Sequence, residues 1–321
     1  MVIHSYHAKT GSNRFLQALL EQRFEVTLLQ DESWQLGAPP LLAEAIDAHD
    51  PTCVLFFQQL PGRKQLRALR CSNLTWAPMH DGIDYGGSGW KKLVASGLKV
   101  LNFCDFGQRH FSALGFDCLP LRYYPEASEF PPARFDDSAL DIFFWTRRSA
   151  LGWPVLKQLL GNQRPRRIVL RNAPDPGETP ALPTAAEIAE YHIEVHSGWL
   201  AAPDYAQLLQ SCNLLMAPRL MEGIGMTMLE AMARGMAVIA VDAPTMNEYL
   251  VHGQTGYLYA PDAPTPINLD QAEKVGARAR QQVVAGREAW IKSVPEMLDF
   301  ITRPCRRPAS WRWNTRKLLR F

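Results

Sequence analysis

Short apolar runs alternate with amphipathic segments along the chain, and this pattern predicts alternating β-strands and α-helices. In the first half, helical patterns at 14–22 and 63–69 separate the apolar runs. The predicted strands of this half are 1–6, 25–29, 53–57, 74–78 and 99–103. Because strands that alternate with helices form βαβ units, we expect a parallel sheet.

The second half repeats the same alternation after an interruption at 124–137, which is rich in proline and acidic residues. Helices are predicted at 204–210 and 226–234. The predicted strands are 141–145, 167–171, 193–196, 213–217, 238–241 and 256–259. Since 321 residues exceed what one core usually organises, we predict two doubly wound α/β domains. Their predicted bounds are 1–130 and 131–300, followed by a tail at 301–321.

Composition narrows the class of protein further. The net charge is only +2, so the whole chain gives no electrostatic reason to expect nucleic acid as a partner. The six cysteines lack CxxC or Cys/His ligand spacing, which indicates neither a zinc site nor a disulfide framework. The chain starts directly with a predicted strand, and no window approaches eighteen apolar residues. A cytoplasmic location is therefore the default expectation.

The segment 213–258 carries the most specific chemistry. A predicted strand at 213–217 leads through a loop to a Gly-x-Gly turn, Gly223 and Gly225, which opens the helix at 226–234. Ligands of open α/β sheets bind at such strand ends, and unpaired N–H groups of a first helical turn favour a phosphate. Donor phosphates are expected at the turn, which also contains Ile224 and Met226.

Two acids flank this turn, Glu222 in the loop and Glu230 just over one turn inside the helix. Carboxylates accept hydrogen bonds from paired hydroxyls, so one acid can hold a sugar ring and the other a ribose. The alternative is that Glu222 is a loop acid near a helix N-terminus and Glu230 a solvated helix position. Taken alone, the spacing favours this alternative.

With its surroundings, the segment resembles the retaining, metal-independent glycosyltransferases of the GT-B fold, specifically family 4 (glycosyl transferases group 1). The matching motifs are Pro218-Arg219, 222–225, 229–235, 237–240, Glu248 and 255–258. The resemblance implies two Rossmann-like domains facing across a cleft, with the donor on the second domain and the acceptor on the first. It also implies that Glu222 meets the donor sugar and Glu230 the ribose, with no cofactor. Arg219 replaces a family serine and Ile224 a family phenylalanine.

The family also supplies an arginine and then a lysine for the donor diphosphate. Arg147 and Arg148 follow the predicted strand at 141–145 and provide the arginine. The lysine is missing, because the nearest cation, Lys157, lies inside the next predicted helix. Arg171, at the end of the following strand, is an alternative cation. The simpler interpretation is that adjacent arginines at a strand end are solvated.

Candidates in the first half lie after the first and fourth strands. Gly11 is expected to approach the donor, whereas Ser12 or Asn13 equally suits an N-cap of the helix beginning at Arg14. His80 is a candidate to stabilise charge at the anomeric carbon, and Asp81 to orient an acceptor hydroxyl. A structural role for this His-Asp pair is equally compatible with the sequence.

The segment 303–321 combines seven basic residues, no acids and two tryptophans. This combination favours contact with an anionic membrane surface, which would bring the protein peripherally to the inner face of the cytoplasmic membrane and to a lipid-linked acceptor. The alternatives are a tail packed across the expected domain interface or a disordered tail.

The predicted function is transfer, with retention, from a UDP- or GDP-linked sugar to a hydroxyl of a saccharide or lipid-linked glycan. The resemblance implies a place in bacterial surface polysaccharide or lipopolysaccharide synthesis. The missing lysine leaves open a catalytically silent GT-B-like subunit that binds nucleotide or a partner. A GT-B-shaped sugar-nucleotide epimerase is a third, disfavoured alternative.

Overall fold

A computed structural model describes residues 1–306 except 34, 36, 88 and 199. The chain divides into two compact units. The first contains Met1–Arg122 together with residues 290–306, and the second contains Tyr123–Ala289. The chain therefore passes from the first unit to the second and back again.

The first unit is built on a parallel six-stranded sheet with the order β2-β1-β3-β4-β5-β6. The strands are β1 (Val2–Ile3), β2 (Leu29–Gln30), β3 (Val54–Phe57), β4 (Leu74–Ala77), β5 (Lys99–Asn102) and β6 (Asp117–Pro120). The helices are α1 (Ser5–Thr10), α2 (Arg14–Glu21), α3 (Ala43–Asp47), α4 (Arg63–Ala68), α5 (Trp90–Val94) and α6 (Asp105–Ala113). The predicted parallel sheet and the helices near 14–22 and 63–69 are confirmed.

The first predicted strand is too long, because α1 begins at Ser5, only two residues after β1 ends at Ile3. The second is also shortened, since only Leu29–Gln30 pair with β1. Strand β6 was not predicted. It lies at the edge of the sheet, where a proline is tolerated because the outward backbone groups need no ladder partner.

The second unit has a parallel six-stranded sheet with the order β12-β11-β10-β7-β8-β9. The strands are β7 (Asp141–Trp145), β8 (Arg167–Asn172), β9 (Ile193–Ser197), β10 (Leu214–Met216), β11 (Ala237–Val241) and β12 (Tyr257–Tyr259). The helices are α7 (Trp153–Leu160), α8 (Ala185–Glu190), α9 (Ala202–Gln210), α10 (Met226–Ala233), α11 (Met246–Tyr249) and α12 (Ala272–Thr302). All six strands predicted for this half are confirmed.

A buried asparagine fixes the start of the central strands of this sheet. Asn213 is fully buried, and its Oδ1 accepts a hydrogen bond from the backbone N–H of Asp141 at 2.9 Å. Its Nδ2 donates to the carbonyls of Arg134 and Ala139 at 3.0 and 2.8 Å. These three bonds join the entrance of β7 to that of β10, and the carboxyl ends of both strands lead to candidate residues.

Helix α12 runs from the second unit into the first. At its start, a Cβ on Gly276 would lie 2.1 Å from the carbonyl oxygen of Gly235, so only glycine allows this close approach. At its end, the buried Lys99 donates to the carbonyls of Phe300 and Ile301 at 2.5 and 2.9 Å. The lysine thus satisfies carbonyl groups that the last helical turn leaves without partners.

No helix among the described residues is both long and apolar enough to cross a membrane. Most of the predicted membrane-contacting segment, residues 307–321, lies outside the described residues. Within the described part, the Arg303 guanidinium binds both carboxylate oxygens of Asp117 at 2.7 and 2.9 Å. This side chain is only 16% exposed, so Arg303 serves an ion pair of the first unit.

Candidate functional site

The turn between β10 and α10 has the geometry that its glycines require. Gly225 has a φ of +78° and occupies the N-cap position, and α10 begins at Met226 as predicted. Gly223, Ile224 and Gly225 are buried, whereas Met226 is partly exposed. The first N–H groups of α10 therefore face the loop at the carboxyl end of β10, where an anion would be favoured.

Glu222 lies in this loop with a partly buried side chain. Its carbonyl oxygen accepts a hydrogen bond from Thr245 Oγ1 at 2.7 Å, which ties the loop to the start of α11. Thr245 is completely buried and has a φ of +71°, a conformation that costs energy for a β-branched residue. Thr245 was not identifiable from the sequence, because its contact with Glu222 depends on the strand order.

Glu230 lies one turn inside α10 in a largely apolar environment. Burial raises the pKa of its carboxyl to about 7, against a smaller opposite effect of the Arg234 charge. Burial therefore favours the protonated carboxyl more than it does for an exposed glutamate. A hydroxyl pair that donates hydrogen bonds to this group would favour its ionised form.

Three arginines converge on Asp175, which follows β8. Arg147 donates to Asp175 Oδ1 through Nε at 3.1 Å and Nη2 at 2.8 Å. Arg148 Nη1 lies 3.4 Å from Asp175 Oδ2, and its Nε lies 3.2 Å from Glu178. Arg219 Nη2 lies 3.6 Å from Asp175 Oδ2. The arginines at the end of β7 are thus held by acids and are not simply solvated.

Arg171 is held by aromatic rings. Its side chain is buried, and its guanidinium carbon lies 3.9 Å from the ring centre of Trp145 and 4.9 Å from that of Tyr205. The Arg147 guanidinium also lies over Trp145, at 4.6 Å. The Tyr205 hydroxyl is 3.5 Å from Thr227 Oγ1 in the first turn of α10. These rings place the Arg171 cation beside the start of that helix.

The sequence missed the partners in this cluster, which are Trp145, Asp175, Tyr205 and Thr227. Asp175 could have been predicted as a site residue from its position after β8, because the carboxyl ends of adjacent parallel strands meet at one edge of the sheet. Lys157 lies elsewhere on α7 and pairs with Glu187 at 2.7 Å. It therefore belongs to a different ion pair from those of the arginine cluster.

Candidates of the first unit follow β1 and β4. Gly11 ends α1 with a φ of +70°, and its N–H bonds to the carbonyl of His7 at 2.8 Å. Asn13 occupies the N-cap position of α2, as one of the alternatives predicted, but its side chain makes no cap hydrogen bond. The Ser12 hydroxyl instead contacts His7 Nδ1 at 2.5 Å. Helix α2 therefore begins without a side-chain cap.

His80 and Asp81 lie in a short helical turn directly after β4. His80 is 6% exposed, and its Nδ1 lies 2.9 Å from the Tyr85 hydroxyl. The Phe106 ring packs against it with a centroid separation of 5.5 Å. This packing orients the imidazole.

The structure therefore brings the second-unit candidates together at one sheet edge. These residues are Arg147, Arg148, Arg171, Glu222, the turn 223–226 and Glu230. The first-unit candidates Gly11, His80 and Asp81 lie at the carboxyl edge of the first sheet. Their roles remain predictions.

Comparisons with known proteins agree with this architecture. The family model described as glycosyl transferases group 1 matches residues 183–272. No curated protein matches the chain.

Among solved structures, the fold is similar to that of Anabaena Alr3699/HepE in complex with UDP and glucose. The TM-score is 0.55 at 17% identity, over 87% of this chain and 89% of that one. Sucrose-phosphate synthase from Thermosynechococcus elongatus gives 0.62 at 15%, over 86% and 84%. A glycosyltransferase from Rickettsia africae gives 0.58 at 14%, over 90% and 88%. The chain thus has the two-unit α/β fold of GT-B glycosyltransferases.

Proposed function

We propose that this chain transfers a sugar from a nucleotide diphosphate sugar to a hydroxyl of a saccharide or lipid-linked glycan. The observation that carries the proposal is the placement of Glu222 and Glu230 on either side of the turn that opens α10, beside a cluster of arginines. Acids suit the hydroxyls of a sugar and a ribose, and cations suit the diphosphate between them.

In the proposed reaction, the bond between the anomeric carbon and the phosphate oxygen breaks, and the electron pair stays on the diphosphate. The acceptor hydroxyl forms the new bond on the same face, and its proton passes to the departing diphosphate. Retention of configuration and independence of metal are parts of this proposal. The arginines and the start of α10 stabilise the developing charge, so catalysis rests on positioning and electrostatics.

The proposed division of labour assigns the donor sugar to Glu222 and the ribose to Glu230. Gly223, Ile224, Gly225 and Met226 would line the diphosphate. In the first unit, Gly11 and His80 would face the donor, and Asp81 the acceptor. The proposed acceptor is a growing bacterial surface polysaccharide or lipopolysaccharide. We also propose that residues 303–321 contact an anionic membrane, which liposome flotation of the chain with and without that segment would test.

The first experiment is a calorimetric titration of the chain with UDP, GDP and ADP, followed by a transfer and hydrolysis assay with the sugar conjugates of the nucleotide that binds. UDP is the first choice because Alr3699/HepE was solved with UDP and with UDP-glucose. We expect one nucleotide to bind, its conjugate to be turned over, and the product to keep the anomeric configuration. Proton NMR of the product would establish that configuration.

Matched variants test the residue roles. Glu222→Gln is expected to lower kcat by roughly 100-fold with little effect on binding of the free nucleotide, whereas Glu230→Gln should weaken nucleotide binding. Glu273→Gln, at an exposed position on α12, is the control. Binding without turnover would favour the silent-subunit alternative. Absence of binding by every nucleotide would overturn the proposal.

A further inference from the structure

Arg219 lies three residues after Met216, the last residue of β10, and contacts two acids of the candidate site. Its Nη2 is 3.6 Å from Asp175 Oδ2, and its Nη1 is 3.7 Å from Glu222 Oε2. The side chain is 22% exposed. One guanidinium therefore connects the arginine cluster at β7 and β8 with the loop acid that precedes α10.

The distances distinguish Arg219 from its neighbour Arg147. Arg147 makes two short hydrogen bonds to one oxygen of Asp175, at 3.1 and 2.8 Å. The two ion pairs of Arg219, at 3.6 and 3.7 Å, are longer than charge-assisted hydrogen bonds. A phosphate oxygen that formed a hydrogen bond with Arg219 would lie closer to the guanidinium than the acid oxygens of these two ion pairs.

The position of Arg219 also defines which phosphate it would meet. Glu222 is the proposed ligand of the sugar, and Arg147 the proposed ligand of the diphosphate. A cation between Asp175 and Glu222 lies between these two subsites. The phosphate of the diphosphate that is bonded to the sugar occupies this intermediate position.

We infer that Arg219 binds the sugar-linked phosphate of the donor and acts as the second cation of the site together with Arg147. This inference rests on the proposed function. Arg219 stabilises the electron pair that remains on the phosphate oxygen when the bond to the anomeric carbon breaks. The same side chain orients Glu222 toward the sugar. The lysine of the family pattern is absent, and Arg219 stands where that pattern has serine, so this chain supplies the second charge from a different loop.

Loss of Arg219 has a consequence beyond the missing bond. Asp175 and Glu222 would then face the phosphate without the cation that separates them, and their negative charges would repel it. The loss of affinity should therefore be confined to ligands that carry a second phosphate. A nucleoside monophosphate lacks the group that reaches this position.

The experiment is calorimetric titration with UDP and UMP, and with GDP and GMP in parallel. Wild type is compared with Arg219→Ser and Arg219→Lys, and Arg164→Ser is the control because Arg164 forms an exposed pair with Glu190. We expect Arg219→Ser to weaken binding of the diphosphate by roughly 10- to 100-fold and to leave that of the monophosphate within about twofold. Arg219→Lys should recover part of the loss, and the control should match wild type.

Kinetics with the sugar conjugate supply a second readout, because charge on the phosphate oxygen grows in the transition state. Arg219→Ser should lower kcat by a larger factor than it raises KM. Equal diphosphate affinities in wild type and Arg219→Ser would overturn the inferred role of Arg219 but not the proposed function. Equal losses for diphosphate and monophosphate would also overturn it. Failure of wild type to bind either diphosphate would overturn the proposed function and this inference together.

Discussion

Replacement of Glu230 by glutamine should stabilise the protein in a manner that depends on pH. Burial raises the pKa of this carboxyl from its ordinary value of 4.5 to about 7. Each pH unit between a folded and an unfolded pKa corresponds to about 1.4 kcal/mol, so the ionised carboxylate costs the folded state about 3 kcal/mol. Glutamine keeps the shape of the side chain and does not titrate.

The sign of the effect follows from the raised pKa. The folded state holds the proton more tightly than the unfolded chain, so wild type loses stability as the pH rises from 4.5 through about 7. Glu230→Gln lacks this loss. The difference in free energy of unfolding should therefore increase in favour of the variant by about 3 kcal/mol across this interval and stay constant above it.

Urea denaturation of both proteins at pH values from about 4.5 to 8.5, followed by far-ultraviolet circular dichroism, measures this difference. The other titrating groups are common to both proteins and largely cancel. A difference that does not change with pH would refute the reasoning, because it would mean that Glu230 is ionised in the folded state at little cost. A saturating nucleotide that binds the carboxylate should lower its pKa and shift the interval toward acid.

Three further changes test other parts of the structure. Lys99→Met should lower the free energy of unfolding by roughly 2–4 kcal/mol, because it removes the donor for the carbonyls at the end of α12. The control Lys92→Met, at an exposed position, should change this free energy little, and equal urea midpoints for the two variants would contradict the role of Lys99. Gly276→Ala should lower the free energy of unfolding by more than about 2 kcal/mol, because its Cβ would lie 2.1 Å from the Gly235 carbonyl oxygen. The control is Gln281→Ala at an exposed position, and equal stability of the two variants would show that the two backbones separate easily. His7→Gln should make the protein less sensitive to acid, because burial and then the His4 charge lower the pKa of His7 to about 4. As the pH falls from 6.5 to 4, the free energy of unfolding of wild type should fall by up to about 3 kcal/mol more than that of the variant, and parallel pH profiles would exclude this.

Burial on both faces made the central strands predictable. Strands β7 and β11 are buried on both faces, so the segments 141–145 and 237–241 are nearly continuous apolar runs. Edge and short strands lack this pattern. Strand β6 contains Asp117, whose carboxylate binds Arg303, and the chain pattern alone gives no reason to place an acid in a strand. The contact that explains it spans 186 residues.

The candidate site was predictable where its chemistry is local. Gly225 and the first turn of α10 are determined by a few consecutive residues, and the structure places them as expected. The partners of the arginines were not predictable in this way, because Arg147 and Asp175 are 28 residues apart. Their contact arises because β7 and β8 are neighbours in the sheet, so that the residues after both strands meet at one edge.

The charges of this edge suggest how the proposed site would discriminate among ligands. Asp175 already compensates part of the positive charge of Arg147, Arg148 and Arg219. A bound anion is therefore stabilised only to the extent that its attraction to these arginines exceeds that of Asp175. A nucleoside monophosphate carries about −1.5 to −2 charges on one phosphate. A diphosphate carries more charge and presents oxygens to several guanidinium groups at once, so it would gain more from such an exchange. Arg171 differs because Trp145 and Tyr205 stack against it, which fixes the cation without adding a negative charge. Arginines paired with Asp175 and an arginine stacked on aromatic rings, all at one edge of the sheet, would thus favour a diphosphate over a monophosphate. The titrations with the Arg219 variants measure that preference directly.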